Sequence, residues 1–248
     1  MGDGHARASL WRGTPPGGAV ARLLMWFDTR RLAVAILFVG LFAMAVRVPA
    51  DTDTWWHLQA GRVTLESGRI LQTDLFSHTR AGVAWVNHSW LSQVWMAWLF
   101  DHFSYAGLGL WMAATVTLAF VFVYRQMEGG VYLRALICIV AAAASALVWI
   151  ARPQLFSFLL TAAVAYILYL LKWRQINRLW VLPPLFVLWV NLHAGYALGF
   201  MVLAAFVAGE IASHALNRLL GPSADPTVGW RQLGLLVGVA LLSALLLV

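Results

Sequence analysis

The chain has 248 residues, of which 62% are hydrophobic and only 11% charged, with a mean hydropathy of +0.77. A soluble domain averages about 45–50% apolar and about 25% charged residues, so this composition excludes an ordinary soluble fold and places the chain in a bilayer. The net charge of +7 comes from basic residues scattered singly between apolar runs, which excludes nucleic acid as a partner and reads as a topology signal on membrane loops.

Cys138 is the only cysteine, so an internal disulfide, a CxxC redox pair and a thiolate metal cage are all excluded. Residues 1–31 are polar, with Pro15, Pro16 and five arginines, and read as a cytoplasmic tail. The apolar run 32–46 follows. Val48-Pro49-Ala50 has the look of a cleavage site, but the preceding region is long and more apolar runs follow, so 32–46 is expected to be an uncleaved first transmembrane helix.

Asp51-Thr52-Asp53-Thr54-Trp55-Trp56-His57 comes next, with two carboxylates and a histidine set against the end of that span. Charge beside hydrocarbon is costly, which makes these groups functional candidates. Residues 53–66 read as an amphipathic helix ended by Ser67-Gly68. Asp53 and His57 are four apart and share a face, as do Arg62 and Glu66, whose plainest reading is a surface salt bridge. Asp53 also suits an N-cap, and Asp51 with Asp53 forms a D-x-D able to hold a divalent cation through carboxylate oxygens.

Trp85 to Gln93 packs Asn87, His88, Ser92 and Gln93 between tryptophans. It reads equally as a polar cap at a helix start or as the wall of a sugar-binding cleft with aromatic platforms. Further runs at 108–124, 131–150, 155–171, 179–190, 196–211 and 233–248 are expected to be helices, most of them spans. Pro183-Pro184 predicts a kinked or partial span in 179–190. Arg152, at a membrane edge, is able to clamp a phosphate bidentately or simply to snorkel. The polar break at Asn191-Leu192-His193 is expected to face a cavity or protein, or His193 simply to satisfy a neighbouring backbone carbonyl. Glu210 and His214, one turn apart, read as a local pair. The chain ends inside an apolar run without a polar flank, which fits a fragment of a longer protein.

Residues 90–100 are short for a span. If they do not cross, Arg125, Arg134, Lys172, Arg174, Arg178, Arg218 and Arg231 fall on the cytoplasmic side with the tail, and Asp51 to Phe103, Arg152 and His193 gather outside. That arrangement is the one expected. The loop 51–103 is also distinct in charge, with five acidic against three basic residues, and it holds Trp55, Trp56, Trp85, Trp90, Trp95 and Trp98. Tryptophan favours the headgroup layer, so the loop is expected to lie on the membrane surface.

An acid at the end of the first span, followed by Ala60-Gly61-Arg62 and Leu65-Glu66-Ser67-Gly68, resembles the GT-C superfamily of membrane glycosyltransferases, which includes protein mannosyltransferases and the aminoarabinose transferase of lipid A. Asp53 occupies the aspartate's spacing from Gly68. Asp51 is an additional upstream acid, Gly61 replaces a usual bulky residue, and Thr54 stands where a second acid is common. The resemblance covers mainly residues 32–124 and implies that 90–100 belongs to a second span, against the charge-based reading.

The resemblance further implies transfer of a sugar from a polyprenyl-phosphate donor, in a bacterial plasma membrane, to an acceptor on the outer face. Asp53, with Asp51, would act as general base or hold a divalent cation. Arg152, Arg62 or His88 would balance the leaving phosphate, and Trp55, Trp56 and Trp85 would shape the cleft, with His57, Asn87 and His193 beside it. The alternative is a non-catalytic membrane protein that binds lipid-linked saccharide or serves as an assembly subunit. A transporter would show internal repeats of spans, and none is convincing. The expected fold is all-α, a polytopic transmembrane helix bundle with an amphipathic external first loop, formed as one domain over residues 32–248.

Overall fold

The computed structural model describes residues 28–247, so nearly all of the tail assigned to residues 1–31 lies outside the described residues. The chain is all-α, 74% helical with no strands among the described residues. The α-helices are α1 (Thr29–Ala45), α2 (Thr52–Ser67), α3 (Trp90–Gln126), α4 (Val131–Ser145), α5 (Gln154–Trp173), α6 (Leu182–Leu192), α7 (Tyr196–Leu220) and α8 (Trp230–Leu245). Four helical stretches, Trp90–Gln126, Val131–Val148, Gln154–Trp173 and Tyr196–Leu220, are long and apolar enough to cross a bilayer, as befits a membrane protein.

The termini of these helices follow local chemistry. Asp51 caps α2, its Oδ1 accepting from the Asp53 amide at 2.8 Å. The N-cap is therefore Asp51, and Asp53 lies in the first turn, where its charge complements the helix dipole. Gly68 ends α2 in the left-handed conformation (φ 65°), as Ser67-Gly68 suggested. Pro183 and Pro184 stand in the first turn of α6, after a 3₁₀ turn at Leu179–Val181. Their missing amides cost nothing there, so they start the helix and do not kink it. α6 is nevertheless short, at 11 residues.

The single helical stretch Trp90–Gln126 is broken at Ser104 (φ 54°, ψ −145°). The arm before the break, residues 90–103, stays at one end of the bundle. Trp90 Nε1 donates to Asn191 Oδ1 at 2.8 Å, Arg62 pairs with Asp101, and Trp55 makes edge contacts with both Phe100 and Tyr105 at 6.0 Å. The arm is thus joined to the second span in sequence but turned aside from it in space. Residues 105–126 run toward the other end.

α2 packs across this arm through a stripe of Thr54, His57, Leu58, Ala60, Gly61 and Thr64, spaced three and four apart. A Cβ on Gly61 would stand 2.0 Å from the Gln93 carbonyl oxygen. Only glycine permits that approach, which is the reason this position lacks a bulky residue.

Two apolar cores hold the bundle. One joins α1 to α4 around Leu41, Met112 and Trp149, and the other joins α5 to α8 around Phe186 and Trp189, with α5 contributing Leu155 to the first and Leu168 to the second. Successive helices alternate in direction, so Arg125, Lys172, Arg174, Arg178, Arg218 and Arg231 share one end of the bundle. Asp51, Arg152 and His193 share the other. At the basic end Glu210, 2% exposed, accepts from Lys172 Nζ at 2.5 Å and from the Val228 amide at 2.7 Å, while His214 Nε2 bonds the Val228 carbonyl at 2.8 Å. Glu210 and His214 are therefore not partners of each other. Both fasten the loop before α8.

Candidate functional site

The acidic end is organised by one guanidinium. Arg152 donates through Nε to Asp51 Oδ1 at 2.8 Å and through Nη2 to Asp51 Oδ2 at 2.5 Å, while Nη1 lies 2.9 Å from Asp53 Oδ2. Burial alone would raise the Asp51 carboxyl, but the hydrogen bonds and charge of Arg152, with the Asp53 and Thr54 amides, hold it below the usual carboxylate range. The Asp53 side chain is 46% exposed against 16% for Asp51, so Asp53 is the carboxylate that can be reached. Thr54, in the position of a second acid, is buried and donates to the Ala151 carbonyl at 3.1 Å, which ties α2 to the turn before α5.

Arg152 is therefore engaged by both carboxylates. Because it fills the space between the two carboxylates, a divalent cation would have to displace it. Among the described residues no group of three or more His, Cys, Asp or Glu is placed to hold a metal.

His57 lies one turn below Asp53, 7% exposed. Gln93 Nε2 donates to His57 Nδ1 at 3.2 Å, and Asn87 Nδ2 donates to Gln93 Oε1 at 2.7 Å. An amide nitrogen only donates, so Nδ1 accepts and the ring proton sits on Nε2. Burial, with the charges of Arg152 and His193 adding to it and that of Asp51 opposing, lowers the His57 pKa to about 4. The polar stretch 87–93 is thus an internal relay that fixes His57. Ser92 also belongs to it, donating to the Leu192 carbonyl.

A second histidine is fixed in the same way. His193 Nδ1 accepts from the Gly195 amide at 3.0 Å and from Ser157 Oγ at 2.7 Å, and Ser157 in turn accepts from Trp189 Nε1 at 2.8 Å. The proton again belongs on Nε2, and burial lowers the His193 pKa. At the polar break His193 lines one cavity and Asn191 another, and His193 Nδ1 pairs with Ser157 and the Gly195 amide, not with a backbone carbonyl. His193, Gln154 and Ser157 sit at one end of a groove of about 690 Å³ between α3, α5 and α7, walled by residues such as Ala119, Phe158 and Ala162. A further cavity of about 440 Å³ shares Gln126 and Ala165 with it and continues along α5 to Tyr169 and Trp173. The larger groove itself reaches from His193 to Gln126 and Met127 at the far end of α3.

The other candidates are placed apart. Arg62, nine residues beyond Asp53 and so roughly 14 Å along α2, is held by Asp101 at 2.5 Å, not by Glu66. His88 is exposed and lines a separate cavity of about 620 Å³ with Trp90 and Asn191. Trp55 faces Phe100 and Tyr105, whereas Trp56 meets Trp85 edge-on at 6.0 Å. Ser157, Trp189 and Asp101 had no signal in the sequence beyond being polar or aromatic within apolar runs. No family model matches the chain, and no curated protein or solved structure matches it either.

Proposed function

We propose that this membrane protein is a glycosyltransferase of the GT-C type, moving a sugar from a polyprenyl-phosphate donor to an acceptor hydroxyl at the acidic end of the bundle. The observation that carries the reading is a reachable carboxylate held on a guanidinium, Asp53 on Arg152, close in the chain to Gln154, which with His193 lines one end of an apolar groove. A lipid-linked anion needs this combination, an apolar trough for the chain and fixed donors for the phosphate. The basic loops at the opposite end support an orientation with that end cytoplasmic and the acids outside.

In this reading Asp53 Oδ1 accepts the proton of the acceptor hydroxyl as its oxygen bonds the anomeric carbon. The bond from that carbon to the phosphate oxygen breaks, and its electron pair leaves with the phosphate. Arg152 and the Nε2–H of His193 balance the charge that develops there.

In proteoliposomes with a radiolabelled polyprenyl-phosphate sugar, Asp53→Asn is expected to abolish transfer while inserting normally. Full activity in that variant would overturn the role. Binding of the donor by the unaltered protein without turnover would assign instead the non-catalytic, lipid-linked-saccharide-binding reading.

A further inference from the structure

The stretch between α2 and the arm folds as a hairpin above Trp56. Asp74 N donates to the Val83 carbonyl at 2.9 Å, Trp85 N to the Gln72 carbonyl at 2.8 Å, and Thr73 pairs antiparallel with Ala84. Asp74 Oδ1 accepts from the Phe76 and Ser77 amides, both at 2.9 Å, which closes the tip. The fold lines an open cavity of about 500 Å³ whose walls include Trp56, Trp85, Phe76, Asp74 and Arg80. That volume lies inside the range of about 300–1,000 Å³ usual for small-molecule sites.

We infer that this cavity is a saccharide subsite that binds the acceptor as a neutral sugar, an inference that rests on the proposed transferase reading. The two indoles meet edge-on at 6.0 Å and 61°, His57 lies against Trp56 at 3.7 Å, and the indole surface that still lines the cavity is where the C–H surface of a pyranose packs. Asp74, whose Oδ1 is held by the Phe76 and Ser77 amides, adds negative acceptor character to the wall, and Arg80 presents donors for ring and hydroxyl oxygens. One carboxylate and one guanidinium leave the cavity without net charge, which suits a neutral sugar and disfavours a lipid phosphate. Trp56 lies three residues from Asp53 on α2, so the two are neighbours on the helix surface. A sugar held against Trp56 therefore lies about one helical turn from Asp53.

The test is saturation-transfer NMR on the full chain in nanodiscs, with methyl α- and β-glycosides of glucose, galactose and mannose as probes and glycerol as the control polyol. At least one glycoside is expected to show saturable transfer to the C–H protons of one ring face. Trp85→Phe, which keeps an aromatic face, should retain binding, Trp85→Ala should lose it, and Asp74→Ala should weaken it on the order of tenfold.

No saturable transfer from any probe overturns the inference, as does transfer equal to that of glycerol or undiminished in Trp85→Ala. Glycoside binding in a protein that transfers no sugar overturns the transferase reading and leaves the subsite standing. Transfer that proceeds at an unaltered rate in Trp85→Ala overturns the subsite alone.

Discussion

The two ends of the bundle handle charge in opposite ways. At the basic end the Lys172–Glu210 pair is buried, and Glu210 spends both oxygens on internal partners. At the acidic end Arg152 divides itself between Asp51 and Asp53, and Asp53 remains about half exposed. The first arrangement has nothing left to offer a ligand, so its work is structural. The second keeps a reachable carboxylate beside a groove. The degree to which a charged pair is satisfied, more than its presence, separates a fastening from a site.

Breaking the closed pair is expected to have the largest effect on stability. Glu210→Gln leaves Lys172 buried and uncompensated, with a loss of about 3–5 kcal/mol, read as a lower midpoint of thermal unfolding in detergent. Donor binding per folded molecule should be unchanged, which would sharpen the contrast between the ends. Gly61→Ala comes next, because the added methyl meets the Gln93 carbonyl across the α2–arm crossing. A cost of about 1–3 kcal/mol is expected, together with loss of the Gln93 bond to His57, visible as a shifted histidine resonance.

His57 supplies a pH dependence. Its folded pKa, near 4, lies below its ordinary 6.5, so between those values the unfolded chain binds the extra proton. Stability is therefore fully present above about pH 6.5 and is lost as pH falls toward 4. His57→Gln should flatten that part of the melting-temperature profile, and an unchanged slope would show that His57 is not the group responsible. The smallest effect belongs to the exposed Arg62–Asp101 pair. Arg62→Gln is expected to change stability by about 0–1 kcal/mol, and a larger loss would mean that this pair behaves like the buried one.

Much of this architecture was legible in the sequence because hydropathy marks spans and glycine marks ends. The runs 155–171 and 196–211 appear within α5 and α7, and Gly68 ends α2. The gathering of Asp51, Arg152 and His193 followed from asking where the basic loops could go. The turn at Ser104 was not legible, since a serine between two apolar helices carries no sign that its φ is positive. The crossing at Gly61 was equally hidden, because a glycine within a helix looks like a flaw until its neighbour is known. Which partner each charge takes was also beyond reach. Arg62 chose Asp101, 39 residues away, over Glu66 one turn along.

The hairpin over Trp56 closes its own backbone bonds, between Gln72 and Trp85 and between Asp74 and Val83. Its ring contact with the helices beneath is through Trp85 on Trp56. Such a segment is a cassette: its tip can lengthen, shorten or change residues while the helices below keep their places. Related chains could then diverge in what they recognise without redesigning what holds them together, and exchanging residues 74–83 between two of them would carry preference across as a unit.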